Sequence, residues 1–251
     1  MQLDPAARAA GVRHHHFETT GSTNAEALTR ARAGERGPLW VTAGSQNAGR
    51  GRRSNPWVSP PGNLYATLLL SEPSPPAAAP QLSFVAALAL HDALAVCAPQ
   101  LGPQFALKWP NDVLLGRAKI AGILIEGESD PVFAVAIGFG VNCASHPEGT
   151  AFPAADLKQA GALVAPEQLF AALSTAMQVR FVQWARGEGF AAIRGDWLKR
   201  AAGLGEPIRV RLPQRELAGL FEGLDEQGRL LLREAAGLTT VTAGEVFGFG
   251  P

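Results

Sequence analysis

The chain has 251 residues, 47% of them hydrophobic, with 22 basic and 22 acidic side chains in formal balance. That length suits one large domain or a catalytic domain with a small appendage, and the zero net charge gives no global sign of a nucleic-acid or membrane-surface protein, so any basic site is local. Cys97 and Cys143 are too few for a disulfide framework and lack metal-ligand spacing; with no signal-like N-terminus, a cytoplasmic chain with no membrane partner is expected.

His14-His-His16 lies on an extended segment, where side chains alternate between faces, so three consecutive imidazoles cannot converge on one ion. An exposed basic patch is expected. Thr23 followed by Glu26 has the form of a capping box, so a helix starts there and ends near Gly34. Ser22, Thr23 and Asn24 then read either as caps and turn formers or as donors and acceptors for a ligand at a helix N-terminus.

Pro38 to Ala43 reads as a strand leading into Gly49-Arg-Gly-Arg-Arg53, and Asn63 to Leu70 as the strand leaving it. Three arginines spaced by glycines are either a solvated basic turn or a site for phosphate or carboxylate, since glycine lets backbone NH groups approach a ligand and arginine supplies a planar charged fork. A dinucleotide fingerprint is excluded: position 54 is Ser, and Asn55-Pro56 with Ser59-Pro-Pro-Gly62 forbids the helix that would have to follow.

Gln81 to Val96 has the length and apolar density of a buried helix, although Ser83, His91 and Asp92 interrupt its apolar run. Strand-like sequence resumes at Phe105 to Lys108, breaks at Trp109-Pro-Asn-Asp112, and continues through Val113 to Leu115. Lys119 to Glu126 completes a hairpin, and Val132 to Phe139 forms another strand ending in Gly138-Phe-Gly140-Val-Asn142. Small residues there let a flat ligand lie against the backbone. Pro166 opens a helix with Leu169, Leu173, Met177, Phe181 and Trp184 at helical spacing, and Phe190, Ile193 and Trp197 mark a second. From Leu204 the texture changes to four short strands, Pro207 to Leu212, Leu217 to Leu224, Arg229 to Arg233 and Leu238 to Val246, which predicts a small β-barrel.

Taken together, Ser22-Thr-Asn24, Gln46-Asn-Ala-Gly-Arg-Gly-Arg-Arg53 with Trp57, Lys108-Trp-Pro-Asn-Asp112, Lys119-x-Ala-Gly122-Ile-Leu-x-Glu126 and Gly138-x-Gly140-Val-Asn142 resemble, in order, the motifs of biotin protein ligases. The resemblance spans nearly the whole chain. It implies an α+β fold, with a mixed-sheet catalytic domain of the class II synthetase type over residues 1–203 and an SH3-like barrel over 204–251. It implies activation of biotin by ATP with Mg²⁺, then transfer to a lysine of a biotin carboxyl carrier protein. Only about 20 residues precede the Ser-Thr-Asn motif, so the form without an N-terminal DNA-binding domain, and no DNA partner, is expected. Family members associate through sheet edges, which leaves a homodimer open.

The resemblance also implies residue roles. Lys119, Arg50 and Arg52 would be catalytic cations, and Asp112 a candidate base for the acceptor lysine. Ser22, Thr23, Asn24, Gln46, Gly49, Arg50, Gly122, Leu124, Gly138 and Gly140 would bind biotin. Arg52, Arg53, Trp57, Lys108, Asn111, Lys119 and Asn142 would bind ATP or the adenylate, with no metal fixed by protein alone. The first step joins a carboxylate that is already ionised at pH 7 to the α-phosphorus, so it needs positioning and charge neutralisation rather than a base. The basic loop is expected to close as a lid over the adenylate, and without ligand to be poorly ordered or displaced from the pocket. Where many relatives have glycine after the paired arginines, this chain has Ser54. A lipoate ligase or octanoyl transferase, and a non-catalytic binder of biotinyl-adenylate, are the alternatives.

Overall fold

Alternating strand sequence and apolar helices assemble into a seven-stranded mixed sheet followed by a five-stranded antiparallel one. The computed structural model describes residues 1–250. A short helix α1 (Pro5–Ala9) leads into β1 (Arg13–Thr20), then α2 (Thr23–Arg32), β2 (Leu39–Gln46), β3 (Leu64–Ser71) and α3 (Leu82–Cys97). Strands β4 (Phe105–Lys108), β5 (Asp112–Leu115), β6 (Ala118–Glu128) and β7 (Ala134–Val141) follow, then α4 (Pro166–Trp184) and α5 (Phe190–Leu198). The order across the sheet is β1-β2-β3-β7-β6-β5-β4, with β1 parallel to β2 and the remaining neighbours antiparallel.

The period-2 alternation of the strands sorts two apolar layers. Trp40, Leu64, Ala66, Leu68 and Leu70 face the large core beneath α3, α4 and α5. Leu39, Val41, Leu69 and Ala136 face the other way and bury Ala27, Leu28 and Ala31 of α2. By length and hydropathy Pro76–Cys97 is long and apolar enough to cross a membrane. In the fold its helical part instead carries Leu82, Val85, Leu88 and Leu94 into the large core.

The second sheet contains β8 (Pro207–Arg211), β9 (Glu216–Leu224), β10 (Leu230–Glu234), β11 (Gly237–Val241) and β12 (Glu245–Phe249), in the order β11-β10-β9-β8-β12. The expected last strand, Leu238 to Val246, is thus two strands: a turn through Ala243 and Gly244 sends β12 back to pair with β8 rather than continuing β11.

Two further expectations change. The cap of α2 is Ser22, whose hydroxyl accepts from Ala25 N, rather than Thr23; Glu26 instead accepts from Thr20 Oγ1. The three histidines do not form one exposed basic patch. His14 and His16 share a face and reach Thr42 Oγ1 at 2.8 and 2.9 Å, while His15 faces Glu35. His14 also packs on Phe170, and burial, then the charge of the N-terminus, lowers its pKa to about 4, so it is neutral near pH 7.

Candidate active site

A cavity of about 560 Å³ opens on the α2 face of the large sheet. Its floor follows from strand register. Gly122 pairs with Gly140 and Leu124 with Gly138 across β6 and β7, so three glycines leave bare backbone where neighbouring positions carry side chains. The space is already claimed by specific groups. A Cβ on Gly140 would meet Trp57 Nε1 at 2.4 Å, and one on Gly138 would meet Asn24 Oδ1 at 2.3 Å.

One end of the cavity holds Ser22, Thr23, Asn24 and Gln46. Gln46 Oε1 accepts from Thr23 N at 2.8 Å and from Thr23 Oγ1 at 3.2 Å, and Gln46 Nε2 donates to Ser59 Oγ. Asn24 is buried with its amide fully used: Oδ1 accepts from Thr67 Oγ1, while Nδ2 donates to Glu126 Oε2 and Leu124 O. It lines the wall as a strut between α2 and the sheet.

The basic loop forms the roof. Gly51 N donates to Asn55 O at 2.7 Å, Trp57 N donates to Gly49 O at 2.9 Å, and Arg52–Ser54 makes a single 3-10 turn. Arg50, Arg52, Arg53 and Trp57 all line the cavity. The loop is thus not displaced from the pocket: internal backbone bonds and side-chain anchors fold it over the cavity. Arg50 pairs with Glu126, and Arg52 donates to Gly244 O at 3.0 Å in the turn that precedes β12. Burial and the neighbouring Arg53 charge lower the Arg52 pKa from its ordinary value, against the pull of Asp112 and Glu245. The ring of Trp57 lies over the glycine floor, 5.3 Å from Lys119 Nζ, and its buried Nε1 has no hydrogen-bond partner among the described residues.

Lys119 reaches the cavity from β6 and is a quarter exposed. Its ammonium lies 2.7 Å from Asp112 Oδ1, whose other oxygen meets Lys108 Nζ at 2.9 Å. Burial would push the Asp112 carboxyl up, but the charges of Lys119 and Lys108 outweigh it and hold the carboxyl below its usual range. A carboxylate held ionised between two ammonium groups is a poor proton acceptor, which counts against Asp112 as the base for an acceptor lysine. It positions the two lysines instead.

Lys108 is one of two expected site residues that do not line the cavity. Its side chain is 1% exposed, its ammonium donates to Val246 O at 2.7 Å, and the Phe152 ring covers it at 4.3 Å. Paired with Asp112 of β5 and bonded to Val246 O of β12, that charge stitches the second sheet to the first. Gly49 likewise sits behind the lining, close to Ser59 and the Trp57 carbonyl.

Asn111 and Asn142 line the cavity with amides committed to the framework: Asn111 Nδ2 donates to Ile123 O at 2.6 Å, and Asn142 Nδ2 to Ala155 O at 3.0 Å. Sequence reasoning assigned nothing to the opposite wall, Pro147 to Phe152 with Ala154, or to Glu245 from the second sheet. That wall is a loop joined to Lys119 by a backbone bridge, Lys119 N to Pro153 O and Ala155 N to Lys119 O. The proline and glycine content of 147–153 marks it as a loop but carries no signal of the bridge.

Residues 17–142 match the family described as the biotin/lipoate A/B protein ligase family, and residues 203–247 match the biotin protein ligase C terminal domain. The chain is 48% identical over 240 residues to the biotin--[acetyl-CoA-carboxylase] ligase of Paracoccus denitrificans, spanning 91% of this chain and 97% of that one. It is 33% identical over 236 residues to the protein of the same name from Mycobacterium tuberculosis, spanning 90% and 85%. In fold it is similar to the biotin protein ligase from Aquifex aeolicus in complex with biotin and ATP, with TM-score 0.78, 24% identity, and 93% and 97% of the two chains covered. Near-complete coverage of a relative 48% identical, in a chain whose cavity gathers most of the motifs from separate strands and loops, places it in the biotin protein ligase family.

Proposed function

We propose that this chain activates biotin with ATP to biotinyl-5′-AMP and transfers the biotin to a specific lysine of a biotin carboxyl carrier protein. Residues 1–203 act as the catalytic domain and 204–251 as its C-terminal companion. The observation that carries the reading is the placement of Lys119, Arg50 and Arg52 around one cavity that has a hydrogen-bonding end and a bare glycine floor.

The chemistry follows from that placement. Ser22, Thr23 and Gln46 serve the ureido ring, exchanging part of their mutual hydrogen bonding for the ligand's, and Gly122, Leu124, Gly138 and Gly140 give its ring system a flat apolar bed. Lys119 faces the biotin carboxylate and the α-phosphate, so two anions meet beside a fixed cation. Carboxylate oxygen attacks phosphorus and pyrophosphate leaves; charge neutralisation and alignment carry this step. Arg50 closes the biotin side and Arg52 the phosphoryl side, with Arg53 adding charge at the rim. Trp57, Asn111 and Asn142 border the adenine end. In the second step the neutral amine of the acceptor lysine attacks the carbonyl carbon of the mixed anhydride, the new C–N bond replaces the C–O bond to AMP, and the amine's surplus proton passes to solvent.

Magnesium belongs with ATP in this reading. Among the described residues no three His, Cys, Asp or Glu side chains gather to hold a metal. Glu148 and Glu245 on the cavity wall suit contact through an ion's water shell, which fits a magnesium ion carried on phosphate oxygens. The chain works in the cytoplasm without a nucleic-acid partner, and β1, at the border of the large sheet, offers an edge for pairing with a second copy.

The test supplies biotin or lipoate with Mg-ATP and follows pyrophosphate release, then adds a carrier domain. Biotin-dependent release followed by acceptor modification is expected. Preference for lipoate would overturn the substrate, and release without transfer would favour a binder of the adenylate.

A further inference from the structure

We propose that Glu126 is the latch of the basic loop, a positioning residue that holds Arg50 over the cavity and ties the roof to the hydrogen-bonding end. Its carboxylate has two jobs at once. Oε1 accepts from Arg50 Nη2 at 3.0 Å, and Oε2 accepts from the buried Asn24 Nδ2 at 2.8 Å. Among the described residues this is the single ion pair between the loop 49–57 and the rest of the chain.

From Asn24 the network continues through Thr67, which donates to Asn24 Oδ1 at 2.7 Å and meets Thr23 Oγ1 at 2.8 Å. Thr23 bonds Gln46, Gln46 bonds Ser59, and Ser59 Oγ donates to the Trp57 carbonyl at 2.9 Å. Both arms of the loop, Arg50 at one end and Trp57 at the other, are thereby tied to one chain of hydrogen bonds. The chain runs through Thr23 and Gln46, two of the groups assigned above to the ureido ring.

The strength of the latch suits its task. Arg50 and Glu126 side chains are 38% and 26% exposed, so solvent screens the pair. Pairs of this kind shift an equilibrium by up to about fivefold, enough to favour closure and weak enough to open in each turnover.

The test begins with the ligand-free full chain and trypsin, reading cleavage after Arg52 and Arg53 by mass spectrometry. Where closing is fast, cleavage follows the open population. Glu126→Gln keeps an acceptor for Asn24 but removes the charge facing Arg50, and is expected to speed cleavage roughly two- to fivefold. Arg50→Ala alone is expected to give the same acceleration, which keeps the test available if Glu126→Gln does not fold. Adding Glu126→Gln to Arg50→Ala is then expected to change nothing further. Equal cleavage of wild type and either single variant would overturn the latch. So would an undiminished effect of Glu126→Gln in the Arg50→Ala background, since Glu126 would then act through Asn24 alone.

A second readout rests on the biotin-ligase reading: with biotin and Mg-ATP but no acceptor, Glu126→Gln releases biotinyl-adenylate faster than wild type by a similar factor. Unchanged release would overturn the link between latch and intermediate. Failure of wild type to make adenylate would refute the proposed function while leaving the trypsin result to decide the latch.

Discussion

Lys119 Nζ sits 2.7 Å from Asp112 Oδ1, so the cation that lines the cavity is placed by an acid that is itself almost wholly buried. The same acid neutralises the buried Lys108. One carboxylate therefore serves both the cavity and the junction between the two sheets.

Removing that carboxylate leaves a buried ammonium without a counter-charge. Asp112→Asn is expected to destabilise the fold by about 3–5 kcal/mol, measured by urea unfolding. The pH dependence has a definite sign. Because the folded carboxyl titrates below its usual range, its contribution is complete above about pH 4–5 and is lost as pH falls through the lower folded value. Asp112→Asn should flatten that acid limb.

Lys108 and Lys119 should separate by assay. Lys108→Met is expected to lower stability while adenylate formation per folded molecule stays within about twofold, because the side chain is buried behind the cavity lining and held by Val246 O and the Phe152 ring. Lys119→Met should abolish adenylate formation with a smaller loss of stability. Single-turnover formation of adenylate, set beside unfolding midpoints, checks both. A large loss of rate in folded Lys108→Met would put Lys108 in contact with substrate after all.

The glycine floor predicts a steric effect. In Gly140→Ala the new methyl would stand 2.4 Å from Trp57 Nε1 and must displace the indole. A rise of roughly tenfold or more in the KM for biotin is expected, the order of effect that a small misplacement in a shaped site produces. Tryptophan fluorescence titration with biotin provides an independent readout.

His14 supplies a second pH signature with the same sign. Its folded pKa of about 4 lies below the ordinary 6.5, so between those values the unfolded chain binds a proton that the fold refuses. Stability is expected to fall as pH drops from 6.5 towards 4 and to gain no further penalty from this group below that. His14→Gln, which retains a polar contact for Thr42, should reduce the slope in urea unfolding measured across that window.

Much of this site was legible before the fold. Gly138 and Gly140 on one strand and Gly122 on another announced backbone open to a flat ligand, the resemblance added Lys119 beside it, and the registers Gly122 to Gly140 and Leu124 to Gly138 bring the glycines together. Three things were not legible. Lys108 and Lys119 are chemically alike, and only the pairing of Lys108 with Asp112 at the β4–β5 turn, followed by a register shift after Val113, decides which of them meets the cavity. The glycines of the basic loop suggested an open, mobile segment, whereas bonds from Gly51 to Asn55 and from Trp57 to Gly49 fold it inward. Asn24 carried the right chemistry for a ligand contact, but Thr67 and Glu126, both distant in sequence, consume it.

Ser54 gives that loop a further test. Its φ of 59° lies in the left-handed region that favours glycine, where other residues are disfavoured by roughly 1–2 kcal/mol. Ser54→Gly should relieve that strain and slow tryptic cleavage after Arg53.

The most direct measurement is the intact mass of a biotin carboxyl carrier domain after incubation with this chain, biotin and Mg-ATP, with lipoate in a parallel reaction. The account predicts one biotinyl group on a single acceptor lysine, none when ATP is omitted, and none with lipoate. An unmodified carrier from wild-type protein that has released pyrophosphate, or a lipoylated one, would contradict it.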